Sequence, residues 1–280
     1  MEIKNLKNIN LEEIVSIINL SFSDYIVPLQ LNLEQLKSKI DAENITPELS
    51  KVVFDGDKIV GVMLHGLRKS DKELIVYNAA TGVAPDYRGK GLVNQMYNAL
   101  LPQLKELEVQ KMVLEVIEGN HSAIRAYEKM GYSMDRKLDC FKGKLTISKN
   151  NTEVLLKEIN VFHWTEFTSF WDNVPSWQNA IQTLENSKDR CHIVGAYCNN
   201  LLVGYAIFNP TSRKVHQFAV AADYRRNGIG MLLFSYINEI VEQQEVYVYN
   251  VDSSAVSALH FLNKLGLSKP TSQFEMSRMV

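Results

Sequence analysis

The 280-residue chain has little of several features that would place it in a specialised class. It contains three cysteines and no C-x-x-C pair, which cannot form a disulfide framework, so reduced thiols are expected. No uninterrupted apolar run approaches the roughly 20 residues of a membrane-spanning helix. The net charge of −2 gives no electrostatic case for binding nucleic acid or an anionic membrane. We therefore expect neither nucleic acid nor membrane as a partner.

Other absences bear on the cellular location and on the class of ligand. The N-terminal segment MEIKNLKNINLEE has no apolar core of a signal peptide, and together with the few cysteines this predicts a cytoplasmic protein. No G-x-x-x-x-G-K-[ST] run is present, which argues against a P-loop nucleotide-binding protein. We predict no metal site. The length is sufficient for about two domains, each with its own core.

A repeated loop is the main positive signal. Residues 83–92 and 220–230 each contain an apolar strand end, an Asp-Tyr pair, an arginine and glycines spaced two apart, and each leads into an amphipathic segment. Matching landmarks in the two parts of the chain stand 143, 137 and 135 positions apart, in the same order. A repeat of this length indicates a duplicated domain rather than a solenoid. We predict one domain over residues 1–147 and a second over residues 148–280, joined by the polar segment 146–152.

The hydrophobic pattern predicts the same order of elements in both domains. Two helices come first, separated by a break at residues 23–31 that contains Pro28. A hairpin, a strand, a helix, another strand and a short helix follow. The helix over residues 89–107 contains Pro102, which should kink it or end it early. This alternation predicts an α/β fold (α+β) with a mixed sheet in each domain.

Each repeated loop is a candidate site for a pyrophosphate-type anion. Glycines at a strand-to-helix junction let a ligand approach the backbone, and the N–H groups that begin the helix then face it. In the first domain the candidate residues are Val83, Arg88, Gly89, Lys90, Gly91, Leu92 and Val93. In the second domain they are Arg225, Arg226, Gly228 and Gly230.

With these motifs in view, the chain resembles the GNAT superfamily of acetyl-CoA-dependent N-acetyltransferases twice over. The family loop is Arg or Gln, two residues, Gly, one residue, then Gly or Ala; the second domain matches it fully, whereas Val93 replaces the last residue in the first. An N-x-x-A-x-x-x-Y-x-x-x-G run covers residues 120–131. The resemblance implies two GNAT-like acyl-CoA N-acyltransferase domains, each a mixed central sheet flanked by helices, with acetyl-CoA (coenzyme A) as cofactor.

The resemblance also implies roles for particular residues. Tyr127 matches the tyrosine that protonates the departing thiolate, and Asn120 matches a position that bonds the pantetheine arm or caps its helix. The strand before the first loop has no carboxylate, so the general base is open between Glu115, Glu118, His121 and a water relay. We list Glu115 as the leading candidate. The second domain has Leu262 in place of Tyr127, so we assign catalysis to the first domain and expect the second to be degenerate or to bind the cofactor only.

The acceptor is predicted to be a primary amine of a small molecule or peptide. An alkylamine with a pKa near 10.4 is only about 0.1% neutral at pH 7.4, equivalent to roughly 4 kcal/mol, so proton transfer would aid catalysis. Candidate acceptor-site residues are Asp24, Tyr25, His65 and Arg68. The alternative is a non-catalytic acyl-CoA-binding sensor or interaction protein. We expect either a monomer with an internal pseudo-dimer or a homodimer.

Overall fold

The computed structural model describes residues 1–27, 29–70, 73–148 and 153–280, so Pro28 and residues 149–152 of the predicted linker lie outside the described part. The chain divides into two compact units, one made of Met1–Asp135 with Phe274–Val280 and the other of Arg136–Gln273. The predicted domain boundary after residue 147 separates the two copies of the repeated sequence, and it stays a prediction. No helix within the described ranges is long and apolar enough to cross a membrane.

The first unit contains a sheet with helices, as the sequence predicted. Its elements are β1 (Glu2–Asn5), α1 (Leu11–Ser21), α2 (Leu33–Glu43), β2 (Lys51–Asp55), β3 (Lys58–Ser70), β4 (Glu73–Val83), α3 (Leu92–Glu106), β5 (Lys111–Ile117), α4 (His121–Lys129) and the start of β6 (Ser133–Gly143). Strands β1 to β4 pair in antiparallel order, and β5 joins β4 in parallel. The sheet is therefore mixed, which confirms the predicted fold class.

Two hydrophobic cores hold the helices of the first unit to its sheet. Helix α1 buries Ile14, Ile17 and Ile18 in one core, whereas α3 buries Met96 and Leu100 in the other. Both sets repeat every three to four residues, which is the spacing that puts side chains on one face of a helix. The helix boundaries are also set locally, since Asn32 and Gln35 form a capping box at the start of α2.

Helix α3 differs from its prediction, because it runs through Pro102 to Glu106. Proline removes one N–H donor and leaves the carbonyl four residues earlier without its helical partner. Pro102 and Asn98 both lie on the exposed face of α3, where water can satisfy that carbonyl. The proline is therefore tolerated near the end of the helix.

Strands β4 and β5 separate where the site is built. Their parallel register runs only from Ile75 and Lys111 to Asn78 and Leu114, although β4 continues to Val83. Just after this point, the pairing of β4 with β3 shifts by one residue, which leaves Ala79 as the extra residue of a β-bulge. The end of β4 thus has a free side next to β5 and α4.

The second unit repeats this plan. Its elements are the end of β6, β7 (Leu155–Glu158), α5 (Trp164–Ser169), α6 (Ile181–Glu185), β8 (His192–Cys198), β9 (Leu201–Asn209), β10 (Lys214–Val220), α7 (Ile229–Ile240), β11 (Val246–Asp252), α8 (Val256–Lys264) and the start of β12 (Ser268–Met279). The strand order is β6-β11-β10-β9-β8-β7. Strands β10 and β11 pair in parallel over two positions before they separate, and the pairing of β10 with β9 has a bulge at His216.

Candidate active site

The loop between β4 and α3 has the geometry of an anion-binding turn. Gly89 and Gly91 both have left-handed backbones, with φ of 75° and 71°, and Gly91 begins α3 without a side-chain cap. The first N–H groups of α3 therefore have no partner inside the helix and are available to a ligand. A Cβ atom built on either glycine would meet nothing within 4 Å, so a diphosphate can approach this backbone closely.

The guanidinium of Arg88 is held by the protein itself. It donates to both carboxylate oxygens of Asp24 at 2.7 Å, to the carbonyl of Ser21 at 2.9 Å and to the carbonyl of Val83 at 3.2 Å. The pKa of the Asp24 carboxyl is lowered by these bonds from Arg88. The arginine side chain thus braces the loop against the segment after α1, and the groups that the loop offers to an anion are its backbone N–H groups. The carboxylate of Asp24 is therefore held in the ion pair with Arg88 rather than placed in an open acceptor pocket.

The second unit has the same loop and the same brace. Arg225 donates to Asp172, to the carbonyl of Phe170 and to that of Val220, at distances between 2.9 and 3.2 Å. The left-handed positions are Arg226, with φ of 66°, and Gly228, with φ of 80°. The two candidate cradles therefore share their backbone conformation as well as their sequence.

The difference between Val93 and Gly230 has a packing explanation. A Cβ atom at Gly230 would lie 3.0 Å from the ring of Phe261 on α8. The corresponding pair in the first unit is Val93 and Ala126, in which the large and small residues are exchanged. Val93 packs against the hydrophobic core there. The glycine in the second unit makes room for a ring, so Val93 is no sign of a blocked cradle in the first.

Tyr127 lies beside the separated end of β4, at the centre of a polar cluster that we call the tyrosine cluster (Asn78, Thr81 and Tyr127). The side chains of Thr81 and Asn78 hydrogen-bond the Tyr127 hydroxyl, and they bond each other at 2.8 Å. Burial raises the pKa of the Tyr127 phenol to about 12, although the bonds from Thr81 and Asn78 act in the opposite direction. The phenol is therefore protonated at neutral pH and can act as a donor.

The tyrosine cluster is absent as a set from the second unit. The positions that correspond to Asn78, Thr81 and Tyr127 carry Val215, Phe218 and Leu262. All three belong to the hydrophobic core of that unit or pack against it. Three polar residues in one unit are thus matched by three apolar residues in the other, so the second unit has no proton donor at this place.

Asn120 and Tyr25 connect α4 to the segment after α1. Asn120 caps α4, because its side-chain oxygen accepts from the N–H of Ala123 at 3.1 Å. Its amide group donates to the hydroxyl of Tyr25 at 3.0 Å. Burial is the main cause that raises the pKa of the Tyr25 phenol, and Tyr25 also interacts electrostatically with Tyr127. The structure therefore brings two predicted residues, Tyr25 and Asn120, close to the tyrosine cluster.

Glu115 lies on β5, with its side chain on the face opposite the α3 core. The hydroxyl of Tyr77 donates to the Glu115 carboxylate at 2.9 Å. Arg68 interacts electrostatically with Tyr77 and Glu43, and burial lowers the pKa of its guanidinium to about 10, so it remains charged at neutral pH. The roles of Glu115 as base and Arg68 as acceptor residue stay predictions.

His65 takes a different place from the predicted acceptor cleft. Its side chain is fully buried, with 0% exposure, and its Nδ1 atom lies 3.2 Å from the carbonyl oxygen of Leu49. Burial lowers the pKa of the imidazole to about 3. The reason is that both faces of β3 are covered by hydrophobic cores, and alternation along the strand puts His65 on the face of Met63, where its ring lies near that of Tyr97. We correct its assignment to a core residue.

Sequence reasoning missed three residues of this region. For the strand that carries Asn78 and Thr81, sequence reasoning noted only that it has no carboxylate. Two polar residues near the end of a buried strand are nevertheless a signal for a site. Asp172 was missed because its partner Arg225 is 53 residues away. The two aspartates stand 64 and 53 positions ahead of their arginines, so no fixed spacing marks the repeated brace in the sequence.

The fold and the loop define the class of protein. Both units have a mixed sheet whose central strands separate, followed by a turn with the geometry for anion binding and a helix, and Tyr127 lies beside the separation in the first. In comparison with known families, the model of the Acetyltransferase (GNAT) family matches residues 13–132, and that of the Acetyltransferase (GNAT) domain matches residues 151–279. The chain therefore belongs to the GNAT acetyltransferase family and carries two of its domains in tandem.

Individual proteins show the same likeness. The chain is 30% identical over 96 residues to N-alpha-acetyltransferase 30 of Schizosaccharomyces pombe, covering 33% of this chain and 62% of that protein. It is 32% identical over 101 residues to a spermine/spermidine N(1)-acetyltransferase of Bacillus subtilis, covering 34% of this chain and 65% of that protein. The matches thus span less than two thirds of either relative. A GCN5-related N-acetyltransferase structure from Sphaerobacter thermophilus aligns over 99% of this chain and 95% of its own, with a TM-score of 0.75 and 15% identity.

The residues of the first unit fit the cofactor of this family, acetyl-CoA. The loop at Gly89 and Gly91 offers helix-start N–H groups on an open side, and the neighbouring edge of β4 is free to pair with an extended ligand after Asn78. Tyr127 holds a protonated phenol next to that edge. Among the described residues, no group of three or more His, Cys, Asp or Glu side chains is placed to hold a metal ion.

Proposed function

We propose that this chain is an acetyl-CoA-dependent N-acetyltransferase, and that its first unit transfers an acetyl group to the primary amine of a small molecule or peptide. The observation that carries the proposal is the tyrosine cluster beside the phosphate-type loop. The second unit shows that the same fold forms with apolar residues at these three positions, so packing alone does not require the tyrosine cluster. Its presence in one unit supports a chemical role.

The residues of the first unit provide binding and proton control. Bound acetyl-CoA supplies the thioester whose carbonyl carbon the amine attacks. The N–H groups after Gly91 hold the diphosphate, and the brace between Arg88 and Asp24 fixes the loop that presents them. The Tyr127 hydroxyl donates a hydrogen bond to the sulfur as negative charge develops on it. Because Thr81 and Asn78 lower the phenol pKa that burial raises, they bring it closer to that of a thiol.

An amine acceptor is supported by the relatives. One is named an N-alpha-acetyltransferase and the other a spermine/spermidine N(1)-acetyltransferase, so both names concern nitrogen acceptors. Tyr25, which lies on the segment after α1 and reaches Asn120, is the acceptor-side residue that the geometry favours. A cytoplasmic location is supported by the cysteines, all three of which are free thiols.

The direct test is a CoA-release assay over peptide α-amines, polyamines and other primary amines, together with calorimetry of acetyl-CoA binding. We expect Tyr127→Phe to lower turnover by about 100-fold, the low end of the usual effect of a general acid, with little change in acetyl-CoA affinity. Binding without turnover of any amine would instead support the non-catalytic sensor.

Tyr132→Phe is the matched control for this experiment. The Tyr132 ring lies 5.7 Å from that of Tyr127, in the same core, and its buried hydroxyl has no hydrogen-bond partner within the described residues. Its removal leaves no donor or acceptor unsatisfied, so activity should persist. An equal loss in both variants would show that packing, rather than the Tyr127 hydroxyl, accounts for the effect.

A further inference from the structure

The second unit carries a histidine at its β-bulge. In the pairing of β10 with β9, Val215 faces Phe208 and Gln217 faces Ile207, so His216 is the extra residue. His216 and Ala79, the bulge residue of the first unit, stand 137 positions apart, as Arg88 and Arg225 do. Bulges re-aim side chains next to active sites. The same structural position is thus chemically inert in the first unit and carries an imidazole in the second.

The hydrogen bonds around His216 determine its tautomer. The amide nitrogen of Asn179 donates to the carbonyl of Tyr249 at 2.8 Å, which fixes the amide so that its oxygen faces the imidazole. The His216 Nδ1 atom lies 3.3 Å from that oxygen, and an amide oxygen can only accept. Nδ1 therefore carries the proton, and Nε2 is left with a lone pair that can take one.

His216 lines the same cavity as the second phosphate-type loop. The cavity has a volume of about 470 Å³, within the usual range for small-molecule sites. Arg226, Gly228 and Gly230 line one end of it. His216, Phe170, Trp171, Tyr205 and Tyr249 also line the cavity. A ligand held at the loop can therefore extend toward the imidazole without leaving the cavity.

The acceptor side of this cavity is aromatic or polar without charge. Trp171 donates to the Tyr205 hydroxyl at 2.6 Å, Tyr205 donates to Gln217 at 2.9 Å, and Gln217 donates to the carbonyl of Asn179 at 2.6 Å. The two acidic side chains that line the cavity are paired with arginines, Asp172 with Arg225 and Asp252 with Arg136. An ammonium group would find no unpaired carboxylate here, so the site favours an amine that is uncharged at neutral pH.

We propose that the second unit is a second acetyl-transfer site, in which His216 accepts the proton of a weakly basic primary amine of the arylamine class. This inference rests on the proposed function, since it takes acetyl-CoA as the donor. The two units would then have kept opposite parts of the proton-transfer machinery. The first has a donor for the leaving group at Tyr127, and the second has an acceptor for the amine proton at His216.

The step balances with the groups named. The amine nitrogen forms a bond to the acetyl carbonyl carbon, and the carbon–sulfur bond breaks with its electron pair staying on sulfur. Because the nitrogen becomes more acidic as the new bond forms, its proton passes to His216 Nε2. The imidazolium then returns the proton to the thiolate or to solvent, which restores the neutral ring. Burial keeps the pKa of His216 well below its ordinary value, so the ring is neutral and ready at pH 7.

The test uses the full chain with aniline as the probe amine. In a Tyr127→Phe background, we expect aniline acetylation to persist, and adding His216→Gln should lower it by about 100-fold or more. Benzylamine, which is charged at neutral pH, should be a poorer substrate for the second unit than aniline. His192→Gln is the matched control, since His192 is exposed and its ring lies beside that of Phe208. It should leave aniline turnover unchanged.

A second measurement does not depend on turnover. Nitrogen NMR of the histidine-labelled chain, with the His216 signals assigned by their loss in His216→Gln, should show the neutral Nδ1–H form, and aniline should shift the Nε2 signal. Melting temperature and acetyl-CoA calorimetry establish that His216→Gln is folded. Aniline turnover that is independent of His216, or an Nε2–H form, would overturn this inference alone. If no other amine shows turnover that depends on Tyr127, the proposed function is overturned instead.

Discussion

Arg88 and Asp24 lie 64 positions apart in the sequence and form a bidentate ion pair, with both N–O distances at 2.7 Å. Arg225 and Asp172 repeat this pair in the second unit over 53 positions. In each unit the bond joins the phosphate-type loop to the segment after the first helix. The arginine of the family motif therefore works here as a brace that fixes the shape of the loop.

Asp24→Ala should weaken acetyl-CoA binding to the first unit without unfolding the protein. The pair is exposed, and exposed ion pairs contribute little to stability, so the melting temperature should stay close to that of the parent protein. Loss of the bidentate contact should let the loop move, raising the KM for acetyl-CoA by on the order of threefold to tenfold. Steady-state kinetics with a saturating amine measures this change.

Asp86→Asn is the control for the brace, because Asp86 is an exposed carboxylate on the same loop. Like Asp24→Ala, it removes one negative charge. It should change the KM for acetyl-CoA by no more than about a factor of two, the size expected for a surface substitution. If both variants raise KM equally, net charge rather than the brace explains the binding, and our interpretation of Arg88 fails.

Gly230→Val should destabilise the second unit, and adding Phe261→Ala should remove the steric conflict. A Cβ atom at Gly230 would lie 3.0 Å from the Phe261 ring, so valine overpacks this contact at a cost of about 1–3 kcal/mol. The double variant recreates the Val93 and Ala126 pair of the first unit. Urea denaturation of both single variants and the double variant gives the coupling free energy, which should favour the double variant by at least about 0.5 kcal/mol. Simple additivity would rule out the proposed size exchange.

The repeated core of the fold could be predicted from the sequence, because its elements have clear periods. The predicted order of hairpin, strand, helix, strand and short helix is the order of β2 to α4 and of β8 to α8. The short strands β1 and β7, which precede the first helix of each unit, were missed, and so were β6 and β12. The exposed and buried residues of β6 and β12 do not alternate, and β12 contains Pro270, which argues against a strand. Tertiary pairing overrides local preference at both places.

The candidate site was predicted less completely than the fold. The loop glycines and Tyr127 belong to short motifs with fixed spacing, so sequence reasoning found them. The partners of these residues come from distant segments, as Asp24 does for Arg88 and Thr81 does for Tyr127. The wrong placement of His65 has a specific cause: β3 is covered by a hydrophobic core on each face, so His65 has no open side, and the sequence does not show which helices cover the strand.

Acidification should destabilise the protein through His65. Burial lowers the pKa of this imidazole from 6.5 to about 3, so the folded protein keeps it neutral while the unfolded chain takes up a proton below pH 6.5. The unfolded state then binds more protons, and stability falls as pH decreases from about 6.5 toward 3. At pH 5 the loss from this residue is about 2 kcal/mol. His65→Gln should therefore reduce the fall in melting temperature between pH 7 and pH 5.

The control is again His192→Gln, which makes the same substitution at an exposed position. His216 contributes with the same sign, since burial also lowers its pKa. A His65→Gln/His216→Gln double variant should therefore have a flatter stability profile than either single variant. An unchanged slope in the double variant would mean that carboxylates dominate the acid response over this range.

Thr81→Val should slow the acetyl transfer of the first unit by raising the pKa of Tyr127. Thr81 is the first of the two hydrogen-bond partners that oppose the effect of burial on this phenol. Without it the phenol becomes a weaker acid, further from the pKa of a thiol near 8.5, and donation to sulfur becomes less favourable. We expect turnover to fall by about tenfold with acetyl-CoA affinity unchanged. In a Tyr127→Phe background, Thr81→Val should cause no further loss, because the hydroxyl on which it acts is gone. A full tenfold loss in that background would show that Thr81 acts by another route, for example by shaping the separated edge of β4.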